Sequence, residues 1–190
     1  MESIVILWLP IVLSAVAVFI VSSVLHMLFT YHNSDYKTIP SEDKIMDDLR
    51  KYNIPPGDYM IPYCSANKER NTPEFKEKVN KGPVMVTTVF PSGQMGMGSS
   101  LALWFVYSLI IGMVCAYVAW HAMLPGQHYS VVFRIVGFTA FAGYSLALMQ
   151  NSIWYRKNWG ATLKSMFDGL IYAMLTAGFF GWLWPAAPMQ

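Results

Sequence analysis

Four long apolar runs constrain this chain more than any motif in it. Ile4–Phe29, Leu101–Leu124, Val131–Met149 and Leu163–Trp184 are almost free of charge. Each is near or above the ~20 residues that carry a helix across the hydrocarbon core of a bilayer. A single segment surrounded by lipid satisfies its own backbone hydrogen bonds only as a helix. The expectation is therefore an all-α membrane protein, a bundle of four transmembrane helices with a small α+β cytoplasmic insert between helices 1 and 2. The corresponding organisation is 1–31 for the first span, 32–100 for the insert and 101–190 for spans two to four. Composition agrees: 13% of the 190 residues are charged and 55% are hydrophobic, whereas a soluble domain carries about 25% charged residues. The formal net charge of +2 leaves no electrostatic footprint for nucleic acid. The first run lacks a basic start and a small-residue cleavage motif, so it reads as an uncleaved anchor.

Orientation follows from lysine and arginine, which favour the cytoplasmic side. The loop between spans three and four holds Arg156, Lys157 and Lys164. The stretches "MES", "PGQHYS" and "PAAPMQ" hold neither residue type. Both termini are expected outside and the insert inside. Tryptophan supports two interfaces, with Trp8, Trp120, Trp182 and Trp184 at outer span ends and Trp104, Trp154 and Trp159 at inner ends. Amphipathic rings prefer the headgroup level.

Span four carries Ser165, Gly169, Ala173, Ala177 and Gly181, one small residue every fourth position. Such stripes let helix backbones approach closely in lipid. The sequence does not say whether this face meets its own bundle or another protein. The turn "MLPGQHYS" makes spans two and three antiparallel neighbours.

The insert has its own punctuation. Ser41 is placed to cap a helix in "IPSEDKIMDDLRKYN", with Ile45, Met46, Leu49 and Tyr52 on one face, and Thr72 with Pro73 opens a second in "NTPEFKEKVNKGP", which Gly82 and Pro83 end. "DYMIPY" reads as extended and "PVMVTTVF" as a strand. Pro55, Pro56, Gly57 and Asp58 suit a turn, and Pro62 keeps the next residues at a sheet edge or out of the sheet. This stiff connector has Asp58, Tyr59 and Tyr63 as contact candidates. Cys64 and Cys115 fall in different settings, so no disulfide is expected between them.

No phosphate loop, dinucleotide fingerprint or paired-cysteine motif occurs. Two charges lie within spans, Arg134 about one turn in from the outside and Asp168 about one turn in from the inside. Intramembrane charges are functional candidates by default, with lipid, ligand or a partner as their contacts. Asp168 has Lys164 one turn away as its expected partner. His121 and His128 flank the outer turn and are weak candidates for haem or metal. His32 and Asp35 in "HNSDY" read as a solvated cap region.

The motifs "HNSDY", "PPGDYM", "SLALWFVY", "QNSIWY" and "FDGLIYAMLTAGFFGWLWP" make the chain resemble an uncharacterised bacterial family of four-span inner-membrane proteins. The resemblance implies a bacterial inner-membrane setting and brings no catalytic residues. The preferred expectation is a non-catalytic subunit or scaffold, with the bilayer and other membrane subunits as partners, for instance in a respiratory or photosynthetic complex. The first alternative is a small transporter or membrane enzyme using Arg134 or Asp168. The second is a haem-, pigment- or metal-binding protein using His121 and His128. No cofactor is predicted by the preferred expectation.

Overall fold

The structure is a computed structural model that describes residues 5–93 and 96–187. The expected span start at Ile4, the terminal segments Met1–Ser3 and Pro188–Gln190 used for orientation, and Gln94–Met95 lie outside the described residues. In chain order the elements are α1 (Trp8–Leu28), a 3₁₀ helix (Tyr31–Asp35), α2 (Glu42–Arg50), β1 (Gly57–Ile61), α3 (Pro73–Lys81), β2 (Met85–Val89), α4 (Gly98–Ala122), α5 (Tyr129–Ser145), α6 (Met149–Tyr155) and α7 (Trp159–Trp182). A single 3₁₀ turn, Leu146–Leu148, links α5 to α6. The chain divides into two units, Met1–Tyr36 with Gly96–Gln190 and, separately, Lys37–Met95.

The smaller unit pairs β1 antiparallel to β2, with Gly57 opposite Val89 and Ile61 opposite Met85. Gly57 and Asp58, expected in a turn, instead open the strand, and Pro62 comes directly after its last residue. Thr72 caps α3 by accepting from the Phe75 amide at 3.3 Å, with Pro73 at the first helical position. Ser41 does not cap α2. It sits at φ 55°, in the left-handed region, and its hydroxyl takes no helix amide.

Three stretches of the larger unit are long and apolar enough to cross a membrane: α1, α4 and the run Tyr129–Tyr155. The 24-residue α7, which carries Lys164 and Asp168, is not among them. Helix α1 packs on α4 and α7, and α5 packs on α4 and, most extensively, on α7. The stripe of small residues explains that last pairing, and it faces its own bundle. A Cβ on Gly169 would lie 2.0 Å from Ser145 Oγ, and one on Gly181 would lie 2.7 Å from the Tyr129 ring. Only the missing side chains let α5 come that close. Ala173 and Ala177 are buried on the same face.

Phe180 is fully buried among Val132, Val136 and the rest of the core, and does not join the outer surface. The surface of the bundle is apolar, with Val12, Val16 and Ile20 exposed on α1 and Leu163, Phe167, Leu170 and Met174 exposed on α7. Several buried hydroxyls are satisfied within the bundle. Ser14 donates to the Ile11 carbonyl, Thr176 to the Tyr172 carbonyl, and Ser152 meets Thr162 at 2.7 Å. At the far end from the start of α7, its trailing segment clasps the turn between α4 and α5. The Gly126 amide donates to the Pro185 carbonyl at 2.7 Å, and Trp184 Nε1 to the Leu124 carbonyl at 3.0 Å.

Candidate functional site

The polar groups of the larger unit converge where α1 ends and α7 begins. The 3₁₀ helix after α1 repeats about every three residues, so side chains at i and i+3 share a face. That geometry sets His32 beside Asp35, with Nδ1 to Oδ2 at 2.6 Å. The other ring nitrogen, His32 Nε2, meets Asp168 Oδ2 at 2.8 Å. Both partners are carboxylates that only accept, so the ring donates from both nitrogens and is held as an imidazolium. Tyr31 donates its hydroxyl to the second oxygen of Asp168.

Lys164 does not take its expected partner. It reaches past Asp168 to the Tyr31 carbonyl at 2.6 Å, Ser34 Oγ at 2.7 Å and Asp35 Oδ1 at 2.8 Å. The arrangement removes the cap-region reading of "HNSDY": this motif is packed on α7. Asp35 and Asp168 are the acidic residues of the larger unit among the described residues, and they share one histidine.

His26, one turn from the end of α1, stacks on His32 with centroids 4.8 Å apart and planes 11° from parallel. Its Nδ1 donates to the Ser22 carbonyl at 3.0 Å. A donor atom from each of His26, His32 and Asp168 lies within 4.8 Å of the others.

The electrostatics arise from these contacts. Burial pushes the Tyr31 hydroxyl up to about 12, and its hydrogen bond to the Asp168 carboxylate adds to the rise. Desolvation works to lower His32, but the hydrogen bonds to Asp35 and Asp168 outweigh it and hold the imidazole above its usual range. The Lys164 ammonium, then His32, holds Asp35 below the ordinary carboxylate range.

Beside this cluster lies a cavity of about 590 Å³ whose wall includes His26, Trp104, Tyr107, Tyr144, Asp168 and Tyr172. Aromatic rings shape it. Trp104 and Tyr144 each lie 5.7 Å from the Tyr172 ring. Trp104 Nε1 donates to Ser22 Oγ at 2.8 Å, and the Tyr107 hydroxyl to the Gly143 carbonyl at 2.7 Å. Asp168 is 2% exposed and Tyr172 4% exposed. The Tyr172 hydroxyl is buried and has no hydrogen-bond partner among the described residues. A buried hydroxyl left unsatisfied costs about 1–3 kcal/mol.

The remaining sequence candidates lie apart from this site. Arg134 is exposed and donates only along its own helix, Nε to the Ser130 carbonyl at 3.1 Å. His121 takes the Tyr117 carbonyl at 2.8 Å, and His128 caps α5 by accepting from the Ser130 amide at 3.2 Å. Each is committed locally, and both are exposed. In the smaller unit Asp58 accepts from Thr88 across the two-stranded sheet at 2.6 Å, the Tyr59 hydroxyl donates to the Pro55 carbonyl at 2.8 Å, and Tyr63 is exposed. Cys64 and Cys115 are both free thiols. His26, Tyr31, His32, Asp35 and Tyr172 are the site residues that sequence reasoning missed. The available signal was "HNSDY" read with a three-residue period, together with the scarcity of acids outside the insert.

Comparison with known proteins returned no matching family model, no matching curated protein and no matching solved structure. The functional reading therefore rests on the site itself.

Proposed function

We propose that this chain is a multi-pass membrane protein that holds an amphipathic small molecule inside its helical bundle. Its apolar body lies against Trp104, Tyr107 and Tyr144, and a polar oxygen or nitrogen meets the Tyr172 hydroxyl near Asp168. The observation that carries the reading is a cavity of about 590 Å³ walled by a buried hydroxyl without a partner. Binding sites for small molecules fall at about 300–1,000 Å³ and combine apolar walls with a few placed polar groups. In this reading α7 is the fourth span. Its exposed face is Leu163, Phe167, Leu170 and Met174, while its polar residue Asp168 points inward, as intramembrane charges do. The positive-inside rule applied to Arg156, Lys157 and Lys164 assigns their loop and the insert to the cytoplasm of a bacterial cell.

The scaffold reading keeps the apolar outer surface as support. It loses the small-residue stripe, which is already occupied by α5.

The test is gentle-detergent purification followed by solvent extraction and mass spectrometry, comparing the wild type with Leu101→Trp. Leu101 lines the cavity, and a larger ring there narrows it while leaving Asp168 and Tyr172 in the chain. The wild type is expected to carry one small molecule enriched over bulk lipid, and the variant to carry at least tenfold less at equal helix content. Identical extracts from the two proteins would overturn the reading.

A further inference from the structure

We propose that His26, His32 and Asp168 bind one divalent first-row transition-metal ion. The inference goes beyond the cavity reading and stands on the side-chain cluster alone.

The first argument is proximity. One donor atom from each of the three residues lies within 4.8 Å of the others. His32 Nε2 and Asp168 Oδ2 are already 2.8 Å apart, against about 3.3 Å for two ligands sharing a tetrahedral ion at ~2.0–2.1 Å bond lengths. His26 closes the remaining distance with a side chain that is exposed and bonded only to its own helix.

The second argument is that both rings are oriented as metal ligands are. A ligating histidine donates its other ring N–H to a carboxylate or a backbone carbonyl, which fixes the tautomer. His26 does so through Nδ1 to the Ser22 carbonyl, and His32 through Nδ1 to Asp35. Asp35 is itself held by Lys164 at 2.8 Å. Nε2 of His26 is then left for the ion, while Nε2 of His32, now on Asp168 Oδ2 at 2.8 Å, takes the ion in exchange for its proton, which leaves to solvent.

The third argument is charge. Two carboxylates, Asp35 and Asp168, belong to the cluster, and its one lysine, Lys164, contacts Asp35 and not Asp168, so a cation is favoured beside Asp168. Two imidazoles with one carboxylate and no thiolate fit zinc, ferrous iron, nickel or copper and do not fit calcium or magnesium. With three protein ligands, one coordination position is left for a molecule in the cavity, whose wall includes His26 and Asp168.

The experiment is titration of chelator-stripped full-length protein in detergent with Co²⁺, followed by visible absorption and then by displacement with Zn²⁺. One equivalent of cobalt per chain is expected, with ligand-field bands that zinc abolishes. His26→Gln is expected to weaken binding at least tenfold, and His32→Gln likewise, while His121→Ala with His128→Ala leaves it unchanged. His26 is the deciding position because its side chain is exposed, hydrogen-bonds only its own helix and otherwise stacks on His32; helix content of the variant is checked against wild type. Leu101→Trp is expected to retain the cobalt, so failure here and failure of the cavity reading are separable. Absence of a stoichiometric cobalt band, or wild-type affinity in His26→Gln, would overturn the proposal.

Discussion

At the scale of single residues, His32 is the side chain that bridges the two carboxylates of the bundle. It ties the 3₁₀ helix to α7 through Asp168 and ties itself to Asp35, so two carboxylates depend on it. Removing one partner of a buried ion pair leaves the other charge uncompensated, at a cost of about 3–5 kcal/mol. His32→Ala is accordingly expected to destabilise the protein by about 3 kcal/mol in a detergent-denaturation assay. Lys164→Met, which frees Asp35 and the Tyr31 carbonyl, is expected to cost about 1–3 kcal/mol. Arg134→Ala is expected to stay within about 0.5 kcal/mol, because its side chain is exposed and bonds only its own helix. A large effect at Arg134 together with a silent His32 would contradict this ranking. The two intramembrane charges look equivalent in the sequence. Position relative to the other helices separates them, and no one-dimensional pattern carries that information. Asp168 was legible as a candidate because charge in an apolar run is costly. Its partners were not, because Tyr31 and His32 lie far from it along the chain, on the other side of the insert.

At the scale of elements, the contact between α5 and α7 is set by what side chains are missing. The stripe from Ser165 to Gly181 was readable from its period of four, and so was its role in close packing. Its partner was not readable, since any helix could in principle occupy it. The structure supplies the complement: Ser145, at the end of α5, sits where a Gly169 side chain would go and donates to the Met166 carbonyl at 3.2 Å. Gly169→Ala is expected to destabilise by about 1–3 kcal/mol, the range for forcing an extra group into a packed site. Adding Ser145→Ala should recover part of that loss, since residues in contact couple by at least ~0.5 kcal/mol. Strict additivity of the two substitutions would show that the helices meet elsewhere. The same logic leaves Gly98 tolerant, because a Cβ there meets nothing. The small unit was the most legible region: both helices and both strands come from Pro, Gly and β-branched residues. Ser41 is the exception, because a left-handed backbone overrides a good capping residue.

At the scale of the whole molecule, the larger unit has an apolar core that admits a few buried polar groups, and an apolar outside. Asp168, Tyr172 and several hydroxyls are buried, and aliphatic and aromatic side chains cover the outside. A bundle built in this way suits lipid on its surface, and an aromatic-walled cavity edged by Asp168 and Tyr172 suits an amphipathic guest. Its orientation is open to labelling. In a chain with Cys64 and Cys115 replaced, Gln127→Cys is expected to react with a membrane-impermeant maleimide in intact spheroplasts. Lys157→Cys is expected to react only after lysis, and the reverse pattern would invert the topology. The central claim, that the bundle cavity holds one small molecule, is tested most directly by native mass spectrometry of wild type and Leu101→Trp side by side. The account predicts one non-covalent adduct per chain on the wild type and none on the variant. A bare wild-type chain, or the same adduct on both proteins, would contradict it.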